Sequence, residues 1–389
     1  MRKHNTSLRA TAAILLAVVM VFGLIGCTSG ASANEHAPGN QNSSNTSSGS
    51  QTPTSGSNNT QSANQTPASG SNNTPAAPPN TSAINVVWYP NESSNTHAEI
   101  RAEVNRLITQ ATGRPANAVT TTDYTIAIEA IASGSADIAM AMGAVGYIEA
   151  KNRNPAVDVM FTNSDANWTL DGAKYFSWLC VNIEDADEYR SGNTYSIDNI
   201  RGKKISFVSN SSTSGFRVPT SAIISHFASD NLTEDDLIEG GRNNFFSEVN
   251  FGQSHQGSAI NLLTGNADVS AFCDIELQAY FDIVSGDVSS VGSVFRIKAD
   301  ADAPFNVHAG KEFVVIACTP VFNGPCAVNP QNLSADEIKA IIDLFTSEEV
   351  ASNELLFYDA NVEGAFGLYK KGSSYGYVAT TDSWYDPYR

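Results

Sequence analysis

The sequence predicts an α/β fold, with two similar lobes and a cleft between them, preceded by a disordered stalk. Three observations carry this. From Ile84 onward, short apolar strands alternate with helical patterns at the pitch of parallel α/β layers. A helix–Gly–strand phrase occurs twice, as ASGSADIAMAMG at 132–143 and LTGNADVSAFCD at 263–274. Before residue 84 the only apolar run is 11–25, so the core must be built from residues 84–389.

The chain opens with Arg2, Lys3 and Arg9, then the apolar run 11–25, then Leu24-Ile25-Gly26-Cys27. The run is short for a membrane span and suits the core of an export signal. L-x-G-C resembles a lipoprotein cleavage site, which makes residues 1–26 a signal peptide and Cys27 the lipidated first residue. The expected location is the extracytoplasmic face of a cell membrane. Residues 27–83 are rich in Ser, Asn, Thr, Gly and Pro, with Glu35 their one formal charge, and QTPTSGSNNT at 51–60 returns as QTPASGSNNT at 65–74. Nothing there can bury a core, so the segment is expected to be a disordered tether with a reach of roughly 40 Å.

Ile84–Tyr89 reads as a buried strand, ended by Pro90. Ile100, Val104, Leu107, Ile108 and Ala111 fall at helical spacing over 97–112, and Gly113-Arg114-Pro115 stops that helix. A strand at 118–122, a helix at 125–132 and a strand at 137–142 come next. The pattern resumes with a strand at 204–208, a helix over about 218–228, a helix at 259–264 and a strand at 267–272. A late helix spans 333–345, with Ser334 and Glu337 spaced as a capping box.

The chain has 22 basic and 40 acidic residues, for a net charge of −18. Such a surface repels nucleic acid and anionic head groups, so no nucleic-acid partner is expected. An anionic ligand would have to be held by local donors against the overall field. Besides Cys27 the cysteines are Cys180, Cys273, Cys318 and Cys326, with no C-x-x-C pair. No metal site is expected. Cys318 and Cys326 are close enough in sequence for a disulfide, and burial as small apolar residues explains them equally well.

The candidate chemistry lies at strand ends. Ser209-Asn210-Ser211-Ser212-Thr213-Ser214-Gly215 follows a strand and precedes a helix. Hydroxyls and unpaired N–H groups at a helix N-terminus favour an anion, phosphate-like above all; a plain N-cap accounts for the same residues. His255 sits just before the helix at 259 and offers a donor. Asp274 ends a strand, where ligands bind in open α/β sheets, with Glu276 close by. Tyr124 follows the strand at 118–122 and brings a phenol. Ser214, His255 and Asp274 invite a hydrolase reading, but there is no G-x-S-x-G elbow, H-E-x-x-H or phosphate-binding P-loop. No enzymatic activity and no cofactor are expected.

Together these segments resemble the phosphonate-binding family, the phosphate/phosphite/phosphonate-binding proteins of bacterial ABC transporters. The matching phrases are YPNESSN at 89–95, TTDYTIAIEAIASGSADIAM at 121–140, SSTSGFRVP at 211–219, GQSHQGSAINLLTGNADV at 252–269 and GYVATTDSWYDPYR at 376–389. The resemblance implies a type II periplasmic-binding-protein fold, two α/β lobes joined by a two-strand hinge. It assigns Ser212, Thr213 and Ser214 to the phosphonyl oxygens, and adds Tyr124, His255 and Asp274 as ligand-binding residues. One departure stands out. Where family members often carry a second aromatic, this chain reads Met140-Ala141-Met142-Gly143. Either Tyr147 takes the role or the pocket is wider and apolar.

The expected organisation is lobe I at 84–182 plus 318–389 and lobe II at 183–317, with hinge crossings near 180–185 and 315–322. The expected function is capture of a phosphonate, phosphite or phosphate-like oxyanion by a monomer that presents it to an ABC transporter permease. The alternatives are a surface lipoprotein that uses the same fold to sense a ligand, and binding of a different organic phosphate.

Overall fold

In the computed structural model, residues 80–92 and 95–389 are described. The expected signal peptide 1–26, Cys27 and the tether as far as residue 79 lie outside them. Two sheets carry the fold. The first has six strands in the order Tyr377–Ala379, Asp158–Asn163, Pro325–Val328, Ile138–Ala139, Ile84–Trp88, Ala116–Thr120. Its centre is parallel: 84–88 pairs in parallel with both 116–120 and 138–139. The second has seven, in the order Phe281–Ser285, Val294–Ile297, Glu312–Phe322, Lys174–Asn182, Val269–Cys273, Lys204–Phe207, Glu248–Phe251. Here 204–207 pairs in parallel with 248–251 and with 269–273.

Helices cover these parallel strands because each strand is followed by an amphipathic segment that must bury its apolar face. Ala98–Thr112 places Ile100, Val104, Leu107 and Ile108 against the first sheet and ends on Gly113 at φ 72°, a left-handed conformation that costs glycine least. Ala335–Phe345 packs Ile341 and Phe345 into the same core. Its expected capping box is present: Ser334 Oγ accepts the Glu337 N–H, and Glu337 accepts the Ser334 N–H. In the second half, Trp178 stacks on Phe295 with ring centroids 4.7 Å apart, inside a cluster with Phe272, Phe281 and Phe313. Each such ring contributes about 1.5–3 kcal/mol by leaving water.

Two expectations change. Lys174–Asn182 and Glu312–Phe322 form one long antiparallel pair, running from Phe313 opposite Asn182 to Phe322 opposite Lys174. Lobe boundaries at 182 and 318 cut through this pair. The chain leaves the first sheet between Asn163 and Lys174 and returns between Phe322 and Pro325. The antiparallel ladder and the buried Trp178, Val181, Val314 and Val315 fix both strands in the second sheet. Second, the helix expected from 259 begins four residues earlier, as His255–Leu263, with Ser254 Oγ capping the Gly257 N–H. The four cysteines 180, 273, 318 and 326 are free thiols, so no disulfide joins Cys318 to Cys326.

Residues just before Ile84 are tied to the first sheet's half. Arg114, only 4% exposed, donates from Nε to the Ser82 carbonyl and from Nη1 to the Asn332 carbonyl, both at 2.9 Å, and pairs with Glu337 at 3.0 Å. At the other end, Tyr147 Oη donates to Asp382 at 2.5 Å, and Arg389 pairs with Asp382 and Asp386. Tyr385 donates to the Asn323 carbonyl at 3.0 Å, and Phe322 N–H donates to Tyr388 Oη at 2.8 Å. The tail phrase DSWYDPYR thus braces the return crossing. Among the described residues, no helix is long and apolar enough to cross a membrane.

Candidate functional site

A cavity of about 50 Å³ lies where the carboxyl ends of the parallel strands in the two sheets meet. Tyr89, Asn91, Tyr124, Ala141, Gly143 and Asn163 reach it from the first sheet's strand ends, and Tyr175, Ser212, Thr213, Ser214, His255 and Cys273 from the second. Open α/β sheets bind ligands in this position, because strand-to-helix turns leave backbone donors there. One water needs roughly 10–15 Å³ of such space. The cavity therefore suits a group of a few non-hydrogen atoms.

Four helix starts border it. Tyr124 is the first residue of Tyr124–Ser133, whose N-cap Asp123 accepts the Thr125 N–H. Gly143 is the N-cap of Ala144–Arg153, with no side-chain cap bond. Ser212 caps the turn Thr213–Arg217 by accepting the Gly215 N–H at 3.1 Å, and that turn runs into Val218–His226. His255 opens the fourth. Each start carries partial positive charge from its unpaired N–H groups. No Lys or Arg is among the lining residues, and Glu276 is the only acid.

The side chains are held by bonds that leave donors free for a ligand. Thr213 Oγ1 accepts the Val145 N–H at 2.9 Å, a buried bond between the two halves; its own proton remains to donate. Asn91 Nδ2 donates to Tyr124 Oη at 2.9 Å, and Asn91 Oδ1 accepts the His255 N–H at 3.3 Å, again across the halves. Ser177 donates to the Ser214 carbonyl at 2.6 Å. The Tyr89 and Tyr124 rings lie 4.2 Å apart.

His255 is 3% exposed and its Nδ1 accepts the Cys273 N–H at 3.1 Å. That bond requires the neutral tautomer with its proton on Nε2. Burial pushes the imidazole pKa down to about 3, so the ring stays neutral at ordinary pH and acts as a donor without charge.

Five of the six expected ligand residues therefore meet at one cavity: Tyr124, Ser212, Thr213, Ser214 and His255. Asp274 does not line it. Its Oδ1 accepts the Phe176 N–H at 2.7 Å while its own N–H donates to the Phe176 carbonyl. The carboxyl continues the strand ladder, and burial raises its pKa to about 7. Its neighbours Cys273, Ile275 and Glu276 line the cavity instead. Sequence reasoning also missed Tyr89, Asn91, Asn163, Tyr175, Asn323 and Tyr369. Of these, Tyr89 and Asn91 stand in the phrase YPNESSN and carried a signal; the others come from separate loops.

The Met140–Gly143 departure has a definite outcome. Tyr147 does not supply the aromatic, since it is buried and bonded to Asp382. Met140 and Met142 are also buried. Ala141, at φ 50°, faces the cavity. Together with Ile275, Glu276 and Tyr369 it forms a partition shared with a neighbouring pocket of about 30 Å³, walled by His97, Tyr280, Tyr358 and Phe366.

Residues 86–385 match the family described as ABC transporter, phosphonate, periplasmic substrate-binding protein. The chain belongs to this family. Members of the phosphonate-binding family capture solutes outside the cytoplasm for ABC transporters and are not enzymes. Two solved structures share the fold. The binding protein component of an ABC phosphonate transporter from Pseudomonas aeruginosa is 19% identical, with a TM-score of 0.55 over 80% of this chain and 85% of that one. PhnD1 of Prochlorococcus marinus, solved with methylphosphonate, is 12% identical, with a TM-score of 0.53 over 79% of this chain and 96% of that one. Both support the type II periplasmic-binding fold. No curated protein matches the chain in sequence.

Proposed function

We propose that this phosphonate-binding family member is a lipid-anchored receptor on the extracytoplasmic face of the membrane. It captures a phosphonate, phosphite or phosphate-like oxyanion and delivers it to an ABC permease. The observation that carries the ligand class is the convergence of four helix starts on a cavity without a basic lining residue. A small oxyanion there would be held by the hydroxyls of Ser212, Thr213 and Ser214, the backbone N–H groups of the same turn, His255 Nε2–H and the Tyr124 phenol. Neutral donors suit cargo that must bind and leave, because no fixed counter-charge has to be separated from it.

Capture makes and breaks no covalent bond. The cross-cleft bonds Thr213 to Val145 and Asn91 to His255 hold the halves together. Opening would break both and expose the helix starts to solvent. Rotation at the two crossings, 163–174 and 322–325, would absorb that motion, as hinges of a few residues do. Lipidation of Cys27 would hold the receptor beside its permease, and the stretch to residue 79 would act as the spacer. The receptor is proposed to work as a monomer.

The test is a melting-temperature screen of the purified protein against phosphate, phosphite, methylphosphonate, 2-aminoethylphosphonate and sulfate. A ligand that binds only the folded form raises the melting point with the logarithm of its concentration over Kd. A shift with a phosphorus oxyanion and none with sulfate supports the reading. Shifts with none of the phosphorus compounds overturn it.

A further inference from the structure

Asn323 lies on the return crossing, is 1% exposed and lines the cavity. Three of its four polar groups are in use. Its N–H donates to the Ala173 carbonyl at 3.0 Å, its carbonyl accepts from Tyr385 Oη at 3.0 Å, and its Nδ2 donates to the Asn163 carbonyl at 2.8 Å. The last bond fixes the amide orientation, because a flipped amide would set oxygen against oxygen. Oδ1 is left buried without a partner. A buried acceptor with no donor is costly and uncommon in native proteins.

We propose that Asn323 Oδ1 accepts a hydrogen bond from the ligand itself, and that the cargo is a phosphorus oxyacid carrying one P–O–H proton. This rests on the oxyanion reading above and names the protonation class that the site selects. Thr213, the helix starts and His255 Nε2–H all donate, and so suit the bare oxygens. Asn323 Oδ1 can only accept, and Glu276 is the one carboxylate among the lining residues. A tetrahedral anion with no proton, such as sulfate or a sulfonate, would press an oxygen against Oδ1. A phosphonate or phosphate near neutral pH still carries a proton to offer. Both crossings would then sense the ligand, since Asn323 lies on one and is tied to Ala173 on the other.

The probes are methylphosphonate and methanesulfonate, matched in shape and differing in that proton. Affinities are read by calorimetry for the wild type, Asn323→Leu and Asn323→Asp. The wild type should prefer methylphosphonate. Asn323→Leu should cut that preference on the order of 10- to 100-fold by weakening methylphosphonate alone. Asn323→Asp, which keeps an acceptor at Oδ1 and, protonated on Oδ2, a donor for the Asn163 carbonyl, should retain it. An unchanged ratio in Asn323→Leu, or equal weakening of both ligands, overturns the proposal while the oxyanion reading stands. If the wild type binds no phosphorus oxyanion at all, both readings fall. Because the readout is a ratio within each variant, altered stability does not mimic the effect.

Discussion

Thr213 Oγ1 and the backbone N–H of Val145 meet at 2.9 Å in a buried bond, one from each half of the molecule. Gly143, the N-cap of the helix that carries Val145, leaves room for it: a Cβ there would lie 2.9 Å from Thr213 Oγ1. One hydroxyl therefore joins the halves and faces the cavity.

Replacing Thr213 by Val keeps the shape and removes both the acceptor for Val145 and the donor for the ligand. Oxyanion binding should weaken by about 1–3 kcal/mol. Calorimetry with methylphosphonate checks it; unchanged affinity would take Thr213 out of the site.

The pH response of His255 has a definite sign. Its native pKa is about 3, against 6.5 without burial. Between those values the unfolded chain takes up a proton that the native ring refuses, so stability is full above pH 6.5 and is lost as pH falls toward 3. His97, lowered to about 4 by burial and by Arg101, acts in the same direction. The denaturant midpoint of His255→Gln should fall less between pH 7 and pH 4 than that of the wild type. A parallel fall in both proteins would refute the assignment.

Asp274 works in the opposite sense. Burial lifts its native pKa to about 7 from 3.8, so the native state holds the proton more tightly and stability declines as pH rises from 3.8 to 7. Asp274→Asn should abolish that decline. Since Asp274 does not line the cavity, methylphosphonate affinity in the variant should stay within a factor of about three. A larger loss would return Asp274 to the ligand shell.

Replacing Cys27 by Ala should leave the protein without its acyl anchor and release it from washed membranes. Membrane and supernatant fractions read by immunoblot decide this, with mass spectrometry of the wild-type N-terminus. Retention without any lipid mass would end the lipoprotein proposal.

The sequence showed the strand–turn–helix phrases that carry the hydroxyls and His255, because apolar periodicity and turn residues are local signals. The repeated helix–Gly–strand phrase placed one strand in each sheet, at 138–139 and 269–273. Less legible were Lys174–Asn182 and Glu312–Phe322, central strands that lack a clean inside–outside alternation. The helix Ala144–Arg153 was silent as well, since Gly143 gives it no side-chain cap. Asp274 misled for a structural reason: a strand end offers an acid either to a ligand or to its own ladder, and only the pairing with Phe176 decides. Asn163, Asn323 and Tyr369 reach the cavity through topology, which no local window contains.

Ser82, held by Arg114, and Arg389, held by Asp382, both belong to the half built on the first sheet. The second half is spliced into the chain between residues 163 and 325 and holds neither Ser82 nor Arg389. Dyes attached at Ser82 and at Arg389 therefore ride on one and the same body. A reporter of opening and closing needs one of its two labels inside the inserted segment, and a pair of labels at Ser82 and Arg389 would read a constant distance however far the halves swing.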